Sequence, residues 1–167
     1  MKNAFFDSII PLPQYTELPS IELYLDQVLR VVNDAVRPYV FSEKDAPLTG
    51  TMVNNYVKHG VLPAPQKKLY RREHLAKLIV ITIMKSVYSI PEIKQFFIAA
   101  SQHELPMLYN LFCSEISLVS ESLQSGRSVE IPDAPIESFL RIMVSSALSK
   151  LYIQHRLSEV QPAEKNS

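Results

Sequence analysis

Apolar residues recur every three or four positions along most of the chain, the spacing of helices that bury one face. Ile21, Leu25, Val28, Leu29, Val32 and Val36 keep this period. Ser20 precedes them as an N-cap, Glu22 sits in the first turn and Pro38 ends the run, so a helix is expected over residues 21–37. Thr49 caps a second, short helix with Met52, Val53, Tyr56 and Val57 inward and Gly60 as its stop. Pro63 and Pro65 then forbid helix. The period resumes from about Arg72 to Ser86, with Leu75, Leu78, Ile79, Ile81 and Thr82 inward. Ser89-Ile90-Pro91-Glu92 is a capping box with proline in the first turn, opening a helix to about Ala100. Two longer helices follow. One, over residues 104–124, carries Leu105, Leu108, Phe112, Ile116, Val119 and Leu123 and ends at Ser125-Gly126. The other, after Pro132 and Pro135, carries Ile136, Phe139, Leu140, Met143, Ala147 and Leu151 and reaches about Leu157.

The expected class is therefore all-α. Residues 1–48 form an arm with Pro11, Pro13 and Pro19 followed by a helix, 49–98 a compact middle, and 99–167 a helical hairpin with a frayed tail. Only three glycines occur among 167 residues, none near another, which excludes the phosphate-cradling and dinucleotide-binding glycine loops. One cysteine, Cys113, allows no internal disulfide and lies in an apolar helical stretch. It is expected to be a buried structural thiol in a cytoplasmic protein. No apolar run is long enough to span a bilayer, and the N-terminus lacks the pattern of a signal peptide. The four histidines, His59, His74, His103 and His155, fall in separate elements without metal-ligand spacing. No nucleophile elbow or recognisable carboxylate pair occurs, so neither an enzyme nor a cofactor is expected.

The zero net charge hides an uneven layout. Residues 1–49 are net −3, 50–100 net +6 and 101–167 net −3. A basic middle is an electrostatic footprint for a polyanion, or else a solvated helix face. Within it the order is a short capped helix, Gly60-Val61-Leu62-Pro63, a basic turn, Tyr70, a helix, then Tyr88-Ser89-Ile90-Pro91-Glu92-Ile93. This block resembles the winged helix-turn-helix of MerR-type regulators. The resemblance aligns Tyr56, Val57-Lys58-His59 and Gly60 to Pro63 with the end of that family's recognition helix, and Lys68 and Tyr70 with the end of its wing. Here Asn54 stands where that family usually has arginine, and Gln66-Lys67-Lys68 replaces Gly-Tyr-Arg. The stretch from Ser42 to Pro47 replaces its first helix. Either that helix is a single turn, or the 21–37 helix supplies the packing. The chain, including Leu23 to Val28 and Leu48-Thr49, is also similar to a bacterial family of unknown function that carries the same block.

The resemblance implies a MerR-like winged helix-turn-helix over about 49–98 and a non-catalytic, DNA-binding transcriptional regulator. Thr51, Asn54 and Asn55 would lie on the helix that enters the major groove, Asn being suited to adenine, and Lys58 would reach a phosphate. Lys67, Lys68, Arg71 and Arg72 would clamp phosphates of double-stranded DNA. The alternative is a protein–protein interaction module that keeps the fold without DNA binding. Residues 104–124 hold three charges in 21 and residues 134–157 four in 24, and Ser145, Ser146, Ala147 and Ser149 keep one helix slim. That hairpin is expected to form a homodimer through Phe139, Met143 and Leu151 or their neighbours. The alternative there is a monomer in which both faces close on the 21–37 helix.

Overall fold

The computed structural model describes residues 5, 9–39 and 47–160. Among them six α-helices follow in order: α1 (Leu25–Val36), α2 (Gly50–Lys58), α3 (Arg72–Met84), α4 (Ile90–Ala99), α5 (Leu105–Ser125) and α6 (Pro135–Glu159). The all-α class holds, and α2 to α6 lie within about two residues of their expected ends. No regular strand occurs among the described residues. Two isolated antiparallel bridges, Leu23 with Tyr70 and Gln66 with Leu69, are the only sheet-like pairings described. The tail beyond Val160 and the stretch from Ser42 to Ala46 lie outside the described residues.

The chain closes around α3. Its sequence, REHLAKLIVITIM, carries charge at Arg72, Glu73 and Lys77 alone, and His74, Leu75, Ala76 and all residues from Leu78 to Met84 are buried. A helix of this kind has no solvent face and must be wrapped. It packs against α1, α4, α5 and α6. The single inward face expected from its periodicity is thus corrected to burial all round. One apolar core, from Phe5 to Leu151, runs through the arm, the middle and the hairpin.

The first helix starts four residues later than its apolar period suggests, at Leu25. The reason is a pairing distant in sequence. Leu23 N–H donates to Tyr70 O at 2.9 Å, and Tyr70 N–H to Leu23 O at 2.8 Å, which holds this segment extended. Ser20 therefore caps nothing; Tyr24 N–H is satisfied instead by Gln27 Oε1 at 2.9 Å. α1 packs against both α2 and α3. The arm before it lies along α5. Tyr15 N–H donates to Asn110 Oδ1 at 2.7 Å, and the Tyr39 hydroxyl donates to Ile10 O at 3.0 Å. The Cys113 thiol faces Pro13 O at 3.6 Å, and burial pushes its pKa up to about 11. It is an inert structural thiol, as expected.

α5 and α6 form the expected hairpin, turned by Gly126 in the left-handed region at φ 68°. Leu140, Met143, Val144, Ala147, Leu148 and Leu151 share the face of α6 that meets the core. Met143 and Leu151, expected at a subunit contact, are thus closed inside one chain, because they fall on this face. Phe139 is partly exposed and packs edge-on against Phe96, ring centroids 5.5 Å apart. A buried ion pair crosses the hairpin. Arg141 Nε and Nη2 donate to the two Glu115 carboxylate oxygens at 2.7 and 2.9 Å, and Nη1 donates to Glu130 O at 2.8 Å. The Glu115 side chain is only 4% exposed, so its charge has no recourse to water. Arg141→Ala should therefore cost about 3–5 kcal/mol, whereas Glu115→Leu combined with Arg141→Met should be near neutral. Urea denaturation of the two variants checks this; equal losses would contradict it.

Candidate nucleic-acid interface

The backbone before α2 is pinned from α1. Asn33 Nδ2 donates to Leu48 O at 3.0 Å, and Leu48 N–H donates to Asn33 Oδ1 at 2.9 Å. Lys85 Nζ donates to Pro47 O and approaches Met52 Sδ at 3.4 Å. Burial lowers the Lys85 pKa. Thr49 then caps α2, its hydroxyl oxygen accepting from Met52 N–H at 3.3 Å. Val53 and Tyr56 bury one side of α2, with Met52 and Val57 partly buried beside them. Thr51, Asn54, Asn55 and Lys58 are all exposed and stand at i, i+3, i+4 and i+7, one outward face. Gly60, at φ 67°, ends the helix. Val61 N–H donates to Tyr56 O and Gly60 N–H to Val57 O, both at 3.0 Å, the two bonds of a Schellman motif. Val61 and Leu62 are then buried and fix the exit from the helix.

The basic turn is a two-residue hairpin. Gln66 N–H donates to Leu69 O at 3.1 Å and Leu69 N–H to Gln66 O at 2.8 Å. Lys67 and Lys68 both lie in the left-handed region, at φ 50° and 66°. That is the type I′ geometry, normally filled by Asn-Gly or Gly-Gly. Each lysine there carries roughly 1–2 kcal/mol of backbone strain. Both side chains are exposed. Tyr70 anchors the hairpin in the core, as expected, with its ring edge-on to His74 at 5.4 Å.

The basic residues expected to act together differ in their surroundings. Lys58, Lys67 and Lys68 are exposed and have no ion-pair partner among the described residues. Arg71 is tied down, with Nε donating to Glu22 Oε1 at 3.0 Å and Nη2 to Gln66 Oε1 at 2.7 Å. Arg72 is partly buried, its guanidinium 5.6 Å from the Tyr15 ring centroid. The remaining cations of the basic middle are also engaged: Lys77 over the Phe97 ring, and Lys94 donating to His59 O at 2.9 Å. No acidic residue occurs between Ala46 and Arg72. Glu22 reaches in from outside that segment and meets it at Arg71. Beside the C-terminal end of α2 a groove opens, lined by Asn55, His59, Ile90, Pro91 and Lys94.

The chain matches, over residues 13–112, a family described as a domain of unknown function, DUF1836. The chain belongs to the DUF1836 family. No curated protein and no solved structure matches it. The DUF1836 segment runs from the arm into α5, so it holds the α2 face, the lysine hairpin and the groove, and leaves α6 outside. Among the described residues no group of three His, Cys, Asp or Glu side chains is placed to hold a metal ion. No described helix is long and apolar enough to cross a membrane.

One residue of the DUF1836 segment carries a role that its position in sequence does not announce. His74 is the third residue of α3, and its Nδ1 accepts the Arg71 N–H at 2.9 Å. This is the third-residue half of a capping box, the part usually played by Glu or Gln, and it satisfies the N–H of the N-cap residue itself. Nδ1 must be unprotonated to accept. Burial lowers the His74 pKa from the ordinary 6.5, outweighing the opposing Glu73 carboxylate. The unfolded chain then binds a proton at a higher pH than the folded one, so stability is full above about pH 6.5 and falls as the pH drops below it. His74→Gln keeps an acceptor at this position and removes the titration. Urea midpoints between pH 7.5 and 5 should fall for the wild type and stay flatter for His74→Gln; parallel curves would contradict the assignment.

Proposed function

We propose that the chain is a non-catalytic DNA-binding regulator whose residues 49–98 act as a MerR-like winged helix-turn-helix. The observation that carries this reading is the outward face of α2, where Thr51, Asn54, Asn55 and Lys58 stand together without an acidic neighbour in the segment. A short helix exposing two adjacent Asn suits the major groove, because Asn bonds adenine through two atoms at once. The lysine hairpin supports the reading from a second direction. Two lysines at strained positions that glycine and asparagine fill at lower cost are explained by a need for charge at the tip. The Leu23–Tyr70 bridge closes the base of the wing. Arg71 and Arg72 serve as internal ties, which leaves phosphate contact to Lys58, Lys67 and Lys68.

The rival reading, an interaction module of the same fold, draws on the groove beside α2 and on Asn54 where MerR-type proteins usually carry arginine. The two readings differ in salt dependence. With three phosphates neutralised, log K for duplex DNA should fall with log salt at a slope near −2.7 per chain. Fluorescence anisotropy with duplex DNA over a salt series measures it, and folded protein that binds no duplex at low salt would overturn the reading. Lys67→Asn with Lys68→Gly should raise stability by about 1–2 kcal/mol while weakening binding to all sequences and flattening the slope. Unchanged binding by this stabilised variant would remove the hairpin from the interface. Asn55→Ala should relax preference at one base position by ~1–3 kcal/mol and leave non-specific affinity largely intact. Binding-site selection reads this directly, and identical motifs for wild type and variant would contradict base contact there.

A further inference from the structure

The side of α6 opposite the core carries a second apolar stripe. Phe139, Ile142, Ile153 and Leu157 are 43, 52, 50 and 63% exposed, far more than scattered surface apolars require on one helix. With Ser146 and Ser149 between them they step by three and four residues along a single line, the seam spacing of a coiled coil. The alternation holds from Phe139 to Ile153; its next position is Arg156, with Leu157 one residue beyond. Ser146 Oγ donates to Ile142 O at 2.9 Å, so its hydroxyl is satisfied within the helix and can be covered without loss. Among the described residues the inward face is supplied by Leu140, Met143, Val144, Ala147, Leu148 and Leu151, and of the stripe Phe139 also touches the core, through Phe96.

Between 142 and 153 the order along the seam reads the same from either end: large at 142, small at 146 and 149, large at 153. A surface that is its own complement when reversed fits a two-fold symmetric contact with itself. We propose that a second copy of this chain docks here, α6 against α6 and antiparallel, with the two-fold axis passing between Ser146 and Ser149. Ile142 then lies level with Ile153 of the second copy, and the serines meet in the middle, where small side chains let the helices approach. The charges agree with this direction. Lys150 falls level with Ser145 and Arg156 with Phe139 of the second copy, whereas parallel pairing would set Lys150 beside Lys150 and Arg156 beside Arg156. Two such stripes face to face cover on the order of 1,000 Å², the area a specific interface needs. Of the residues expected from sequence the contact keeps Phe139, with neighbours in place of Met143 and Leu151, and it stands whether or not the chain binds DNA.

Sedimentation equilibrium of the full chain without DNA tests it. At tens of micromolar the wild type should show twice the chain mass, and Ile142→Lys with Ile153→Lys should show the single-chain mass with unchanged helical circular dichroism. Orientation is read by mixing two variants under mild oxidation. Ile142→Cys chains should cross-link to Ile153→Cys chains and neither to itself, because like positions stand about 16 Å apart along an antiparallel pair. A wild-type monomer at 100 μM would overturn the proposal, and so would cross-linking of each variant to itself.

Discussion

Burial of α3 is the constraint on which the remainder depends. Ten of its thirteen residues are buried, nearly all of them apolar. Exposing any one of the larger ones to water would cost about 1.5–3 kcal/mol, so no arrangement that leaves a side of this helix open can compete. Four helices are required to cover it, and α1, α4, α5 and α6 do so. α2 is held at the edge of this assembly, by α1. That placement is why a nine-residue helix, too short to be stable alone, keeps a defined orientation with one face in water.

The candidate interface inherits its rigidity from contacts far from it in sequence. Asn33 fixes Leu48 at the start of α2, Lys94 reaches His59 at its end, and Leu23 pairs with Tyr70 at the base of the hairpin. Each joins a surface element to one that packs on α3. The strained turn at Lys67 and Lys68 is tolerable only because both strands of its hairpin are anchored, Gln66 and Leu69 by their mutual bonds and Tyr70 by the core. A proton on His74 would loosen the cap that joins this hairpin to α3, which places an acid-sensitive joint between the core and the surface that is proposed to bind.

Much of this was legible in the residues. The period, the Thr49 and Ser89 caps and the two helix-ending glycines, Gly60 and Gly126, locate five helices, because these signals act within one turn of chain. The start of α1 was not legible, since the Leu23–Tyr70 pairing spans 47 residues and overrides the local period. Arg71, Arg72, Lys77, Lys85 and Lys94 counted toward a basic patch in sequence, yet each is occupied by Glu22, Tyr15, Phe97, Pro47 or His59. Nothing local marks those partners. On α6 the apolar residues occupy two opposite faces, and periodicity alone does not say which meets the core. Phe139 and Met143 looked equivalent, and only the packing of α3 and α5 against one face tells them apart. The DUF1836 membership covers the interface residues and assigns them no task, so the function rests on their geometry.

The central claim is that residues 51–68 form the surface through which the chain meets duplex DNA. Amide chemical-shift mapping of the intact protein, titrated with a short duplex at low salt, reads every backbone site at once. Shifts should concentrate at Thr51, Asn54, Asn55, Lys58, Lys67 and Lys68, with α5 and α6 undisturbed. Shifts absent throughout, or confined to the hairpin of α5 and α6, would contradict it.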